Sequence, residues 1–107
     1  MPWAVILTPA FRRDCGSLSR EILERVETAL QELANSEEPQ KLGHRLHGRW
    51  QGLCSYEIGR QYRIVYRVKF DDKVIEFLAA GTHKVYRWPF VVQYIPKNEV
   101  HFLSHAL

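Results

Sequence analysis

The sequence predicts a single α+β domain over residues 1–107, with an N-terminal strand and two helices packed on a mainly antiparallel sheet of about four strands, followed by a C-terminal extension at 88–107. Three observations lead there. Apolar residues recur at helical spacing from Leu18 to Leu33, whereas Tyr62 to Phe70 alternates between two faces at the period of a strand. The 107 residues, 46% hydrophobic and 25% charged, have the length and balance of one globular domain. A chain of this size buries roughly 60% or more of its unfolded surface, enough for a core without disulfides or metals.

The chain order follows from local chemistry. Trp3 to Leu7 read as a short strand, and Thr8-Pro9 then supplies a helix cap with proline at the first helical position. A short helix over Pro9 to Asp14 is expected. Gly16 and Ser17 break it, and Leu18, Ile22, Val26, Ala29, Leu30 and Leu33 form the apolar stripe of a second helix reaching about Asn35, where Asn35-Ser36 and Pro39 stop it. Three strands follow: Leu53 to Ile58, Tyr62 to Phe70 and Lys73 to Ala80. In the middle strand Tyr62, Ile64, Tyr66, Val68 and Phe70 point one way, onto the helices, and Arg63, Val65, Arg67 and Lys69 the other. A turn at Asp71-Asp72 matches the polarity of both faces if Tyr66 pairs with Phe77 and Arg67 with Glu76. A loop at Gly59 to Gln61 likewise sets Glu57 beside Arg63.

Charge is segregated along the chain. Seven acids against two arginines give Asp14 to Glu38 a balance of −5, and seven basic residues against Glu57 alone give Lys41 to Lys69 +6. A block of one sign on one surface attracts a polyanion such as RNA; as a solvated face it does nothing more. Cys15 and Cys54 have no metal-ligand spacing and make a poor disulfide framework, so an intracellular, reduced protein is expected. The apolar run Trp3 to Leu7 has no basic segment before it and is too short for a signal core or a bilayer span, so neither export nor membrane insertion is expected. The sequence has no glycine-rich phosphate loop, dinucleotide fingerprint or zinc-protease motif, which leaves nucleotide hydrolysis and zinc proteolysis without support.

Cutting RNA without a metal needs a base for the 2′-hydroxyl, a cation for the developing charge on phosphorus and an acid for the leaving 5′-oxygen. Arg63 is the cation candidate, because a guanidinium stays charged and forks onto two phosphate oxygens; its plainer role is a surface pair with Glu57. Glu57 is a candidate base, or only the other half of that pair. His83 follows Gly81-Thr82 at the end of the last strand and is a candidate proton donor, although a loop histidine is more often idle. Tyr86 could stack on a base, donate a proton or cover the core. His44 and His47 flank the approach to Gly48-Arg49-Trp50, and that basic aromatic loop suits single-stranded RNA unless Trp50 plugs the core edge. Lys41, Arg45, Arg60, Arg67, Lys84 and Arg87 complete the candidate RNA-binding set. Cys54, in mid-strand, reads as a small buried hydrophobe.

The run HRLHGRWQGLCSYEIGRQYRIVYRV, followed by a charged hairpin and FLAAGTHKVY, resembles the RelE/ParE superfamily of bacterial and archaeal toxins. The pattern H-x-L-x-G-x-W-x-G and the later GTH are most similar to the YafQ branch of ribosome-dependent mRNA interferases. The resemblance implies a RelE-like fold, acid/base roles for His44 and His83, and a scissile-phosphate role for Arg63. It further implies a type II toxin, cytoplasmic and free of cofactors, that enters the ribosome, cleaves translated mRNA and is silenced by a cognate antitoxin. The chain departs from the YafQ branch where that branch has a further catalytic histidine, because Glu57 stands there. Gln61 and Tyr62 stand where the branch has an acid and a tryptophan. The base assignment is thus open between Glu57 and His44. Two rival readings stand beside it: a ParE-like toxin that binds DNA gyrase, which needs no histidine after the last strand, and a binding protein that keeps the fold without toxicity. Trp88 to Leu107 matches none of these motifs and is open to three readings: an added strand, a cover over the site or a contact with another chain.

Overall fold

The computed structural model describes residues 2–82 and the short strand at 100–101. The chain begins with strand β1 (Ala4–Leu7), followed by helices α1 (Pro9–Gly16), α2 (Arg20–Asn35) and the single turn α3 (Pro39–Leu42). Strands β2 (His44–Arg45), β3 (Cys54–Ile58), β4 (Tyr62–Lys69), β5 (Val74–Gly81) and β6 (Val100–His101) complete one sheet in the order β2-β3-β4-β5-β1-β6. Its long strands pair antiparallel except for β1, which runs parallel to β5. The α+β architecture therefore holds, with two two-residue edge strands and α3 added to the expected elements.

The predicted cap is present. Phe11 N donates to Thr8 Oγ1 at 3.2 Å and Thr8 Oγ1 donates to the Phe77 carbonyl at 2.8 Å, so one side chain starts α1 and ties it to β5. Ser19 caps α2 by accepting from Ile22 N at 3.3 Å, which moves the restart two residues past the Gly16-Ser17 break expected from sequence. The stripe Val26, Ala29, Leu30 and Leu33 is buried against Val5, Phe11, Ile64, Tyr66, Ile75 and Phe77 on the inner face of the sheet. One expectation needs correction. Phe70 was placed inside, but it is 59% exposed, because β4 ends at Lys69 and the turn carries the ring past the helices. The pairing of β4 with β5 shifts at a bulge: Val65 faces Ala79 while Tyr66 faces Phe77, which leaves Leu78 as an extra residue. Val65, Leu78 and Ala79 consequently form a second buried cluster, apart from the main core, with Leu53 packed against it.

The α3 turn is held from the core. Tyr66, fully buried, donates its hydroxyl to the Pro39 carbonyl at 2.8 Å. Gly43 passes so close that a Cβ there would lie 2.5 Å from the Ser55 carbonyl oxygen and 2.7 Å from the Tyr66 hydroxyl. Only glycine fits, and it delivers the chain to His44.

Candidate functional site

Strand register builds the site. Glu57 lies opposite Arg63 across β3 and β4, and Arg63 lies opposite Gly81 on β5. Both charged side chains occupy the face turned away from the helices, since their neighbours Ile58 and Ile64 belong to the helix-side core. Arg63 Nη2 stands 3.6 Å from Glu57 Oε1, and the arginine side chain is 17% exposed while the glutamate is 53% exposed. Arg63 Nη1 is buried and has no hydrogen-bond partner among the described residues. A buried donor left unpaired costs on the order of 1–3 kcal/mol, and more when charged, so this guanidinium gains from an anionic acceptor such as a phosphate oxygen.

His44 joins the same face. It is exposed and pairs with Ser55, two residues before Glu57, and diagonal neighbours on adjacent strands lie about 7–8 Å apart. His44 thus lies diagonal to the Glu57–Arg63 row on the same sheet face, level with Ser55 and Val65, with the exposed Arg60 in the turn near that row. The end of β5 that faces Arg63 is pinned from the helix layer, where Asp14 Oδ2 accepts from Ala80 N at 3.0 Å. Sequence reasoning missed Asp14. An acid at the end of a predicted helix gives no sign that its partner is a backbone amide 66 residues away.

The basic residues from Lys41 to Lys69 do not make one continuous surface. Arg67 is committed to Glu76, with Nε 2.7 Å and Nη2 2.5 Å from Oε1 of a carboxylate that is 4% exposed. The buried cluster of Val65, Leu78 and Ala79 lies between that pair and Arg63. Lys41 pairs with Glu38 at 3.2 Å on α3, both well exposed, a contact worth little. Arg45 pairs with the core residue Cys54 and so faces the other side from His44. With His47, Gln40 and Phe70 it lines a separate cleft of about 400 Å³. Arg49 and Trp50 sit on a short 3-10 turn (Gly48–Trp50), the arginine exposed and the tryptophan half-buried. His83, Lys84, Tyr86 and Arg87 lie outside the described residues, as do 88–99 and 102–107 of the extension.

Burial first, then Asp14 and Glu27, push the Cys15 thiol up from 9.0 to about 12, and burial also raises Cys54. Both thiols stay protonated near neutral pH, so they pack as small hydrophobes and do not act as nucleophiles. Tyr56 donates its hydroxyl to Glu32 Oε2, which pushes the phenol up to about 12 and ties β3 to α2. Among the described residues no three His, Cys, Asp or Glu side chains gather as metal ligands, and no helix is long and apolar enough to cross a membrane.

Comparison with known proteins agrees with this fold. Among solved structures, the toxin-antitoxin complex RelBE2 of Mycobacterium tuberculosis is similar at 28% identity and a TM-score of 0.68, covering 78% of this chain and 93% of that one. The archaeal RelE–RelB complex of Pyrococcus horikoshii matches at 24% identity and a TM-score of 0.63, over 77% and 96% of the two chains. Escherichia coli YafQ matches at 15% identity and a TM-score of 0.62, over 75% and 92%. At these lower identities the likeness is one of fold. No curated protein sequence matches the chain. The family model described as "ParE toxin of type II toxin-antitoxin system, parDE" covers residues 5–86, most of the chain, with His44, Glu57 and Arg63 among them. The chain therefore belongs to the ParE toxin family of type II toxin-antitoxin systems, within the RelE/ParE superfamily.

Proposed function

We propose that the protein is a cytoplasmic endoribonuclease that enters the ribosome, cleaves translated mRNA and is held silent by a cognate antitoxin. The observation that carries this reading is Arg63, a mostly buried side chain with one nitrogen beside Glu57 and the other without an acceptor among the described residues. A phosphodiester laid across the row would satisfy it. Glu57 or His44 would then take the 2′-hydroxyl proton as O2′ attacks phosphorus, and Arg63 would neutralise the equatorial oxygens. His83 would return a proton to the departing 5′-oxygen. It follows Gly81 by two residues, a span of at most about 7 Å of chain, and Gly81 faces Arg63. The products are a 2′,3′-cyclic phosphate and a 5′-hydroxyl. The antitoxin belongs to the reading because two of the similar structures are toxin-antitoxin complexes.

One observation favours a second reading. The matching family model is that of ParE, so a gyrase-binding toxin without nuclease activity is the alternative. Induction of the wild type beside Arg63→Ala and His83→Ala, with mRNA ends mapped in translating cells, separates the two. The ribonuclease reading expects in-frame cuts that fall about 100-fold or more when Arg63 is removed, the usual loss for one transition-state charge partner, and that His83→Ala also suppresses. Growth arrest with intact mRNA and a blocked gyrase supports the alternative.

A further inference from the structure

Among the described residues two large apolar side chains are exposed, Leu42 and Phe70. Phe70 is held in place. Its ring meets the ring of Trp3 edge-on, with centroids 6.0 Å apart, and Trp3 is anchored in turn by donating Nε1 to the Ser36 carbonyl at 3.0 Å. A braced ring that faces solvent offers a flat ligand a platform. Phe70, Val68 and Leu53 supply apolar lining to the cleft of about 400 Å³ that also holds Arg45 and His47, and among the described residues no Asp or Glu lines it. Two acids close to it in sequence, Glu38 and Asp72, already have lysine partners, Lys41 at 3.2 Å and Lys69 at 3.7 Å. Gln40 brings an amide whose Oε1 is buried with no hydrogen-bond partner among the described residues, a state that a donor on a ligand relieves. Val68 stands five residues beyond Arg63 on β4, roughly 17 Å along the strand at about 3.3 Å per residue, and packs on the helix side. The cleft is therefore separate from the Arg63 site.

We propose that this cleft binds an adenosine monophosphate unit. The adenine ring lies on Phe70, its amino group donates to Gln40 once that amide turns toward the cleft, and the phosphate rests on Arg45 with His47 as a second donor. Each part of the ligand answers one feature of the lining. The braced, exposed ring suits a flat aromatic partner. The charge of the lining, basic with no described acid, selects an anion, and the fork of Arg45 matches phosphate oxygens. A side-chain amide reads adenine, whose amino group and ring nitrogen meet its acceptor and its donor. The volume is that of a small-molecule site. A free nucleotide and one residue of a single-stranded RNA present the same unit, and the test separates them. Neither source requires the ribonuclease reading, because the cleft lies at the other end of β4 from Arg63.

The test is calorimetric titration of the full chain with AMP, adenosine, purine riboside 5′-monophosphate, which lacks the amino group, and a capped phenylalanyl-glutamate dipeptide, which has a ring and an anion but no base edge. AMP binds the wild type. Adenosine and the purine riboside monophosphate each bind about tenfold or more weakly, the loss expected for one charged or buried hydrogen bond. Arg45→Gln weakens AMP by about tenfold and leaves adenosine unchanged, whereas Phe70→Ser weakens both. A 2′-O-methyl oligoadenylate that binds more tightly than AMP, and loses that affinity in Arg45→Gln, supports the site with RNA as its source; one that binds no better supports it with the free nucleotide. No binding of AMP at millimolar concentration, binding of the dipeptide as tight as that of AMP, or unchanged AMP affinity in Arg45→Gln overturns the proposal. Arg45 and Phe70 are exposed, so both variants are expected to fold. Should either melt early, amide shift changes on adding AMP to the wild type decide: at Gln40, Arg45 and Phe70 they support the proposal, and elsewhere they overturn it.

Discussion

Cys15 shows how one buried side chain shapes the response of the fold to pH. Its thiol is pushed up from 9.0 to about 12, chiefly by burial among core residues and secondarily by Asp14 and Glu27. In the unfolded chain the thiol ionises first, so unfolding releases a proton that folding retains. The stabilisation is fully present below about pH 9 and is lost as pH climbs toward 12. Between 9 and 10 the two raised thiols, Cys15 and Cys54, contribute to this loss. Above 10 the tyrosines join, since the Tyr56 phenol is raised from 10.0 to about 12 by Glu32 and Tyr66 is raised by burial. Urea unfolding at stepped pH is expected to show stability falling from about pH 9. Cys15→Ala should flatten that first limb while leaving the steeper loss above pH 10, with Cys54 supplying the remainder of the early slope. A variant whose first limb is as steep as the wild type's removes this account of Cys15.

Thr8 links three segments through one hydroxyl, accepting from Phe11 N and donating to the Phe77 carbonyl while its own amide also reaches that carbonyl at 3.2 Å. Thr8→Ala is expected to cost about 1–2 kcal/mol with an unchanged denaturant slope, and Thr8→Ser to recover most of it. This joint was legible in the sequence because Thr8-Pro9 has a local meaning. The pairings Glu57 with Arg63 and Arg67 with Glu76 were legible too, since only one register matches polarity on both faces of the hairpins. The bulge was not. Phe77-Leu78-Ala79-Ala80 is apolar throughout, so no alternation marks where one residue is extra. Nor were α3 and β2 readable, for they depend on Gly43 fitting against Tyr66, a contact made only once the sheet exists. Of the site, the row of residue types was visible. That Arg67 is tied up by Glu76 while Arg63 keeps a nitrogen unpaired among the described residues is decided by burial, on which alternation is silent.

The fold sorts charge into two regions. The acids of α2 surround a cleft beside β3, while Arg63 and the neighbouring Arg60 stand at the far end of the opposite sheet face. Polyanion binding should therefore depend on few contacts, not on all seven basic residues of the Lys41 to Lys69 block. Arg67 and Lys41 already have carboxylate partners, and Arg45 faces the other side of the sheet. Binding to a short single-stranded RNA with 2′-O-methyl riboses, which cannot be cut, measures this directly. Each phosphate neutralised on a single strand contributes about −0.7 to the slope of log affinity against log salt, so Arg60 and Arg63 together require a slope of about −1.4. Arg60→Gln should make it shallower by about 0.7 and leave the fold intact, because Arg60 is exposed in a turn. A much steeper slope would bring Arg49 or the residues after Thr82 into contact. A flat response in a folded protein would leave Arg63 no phosphate to hold, and the gyrase-binding alternative would then account better for the same row of residues.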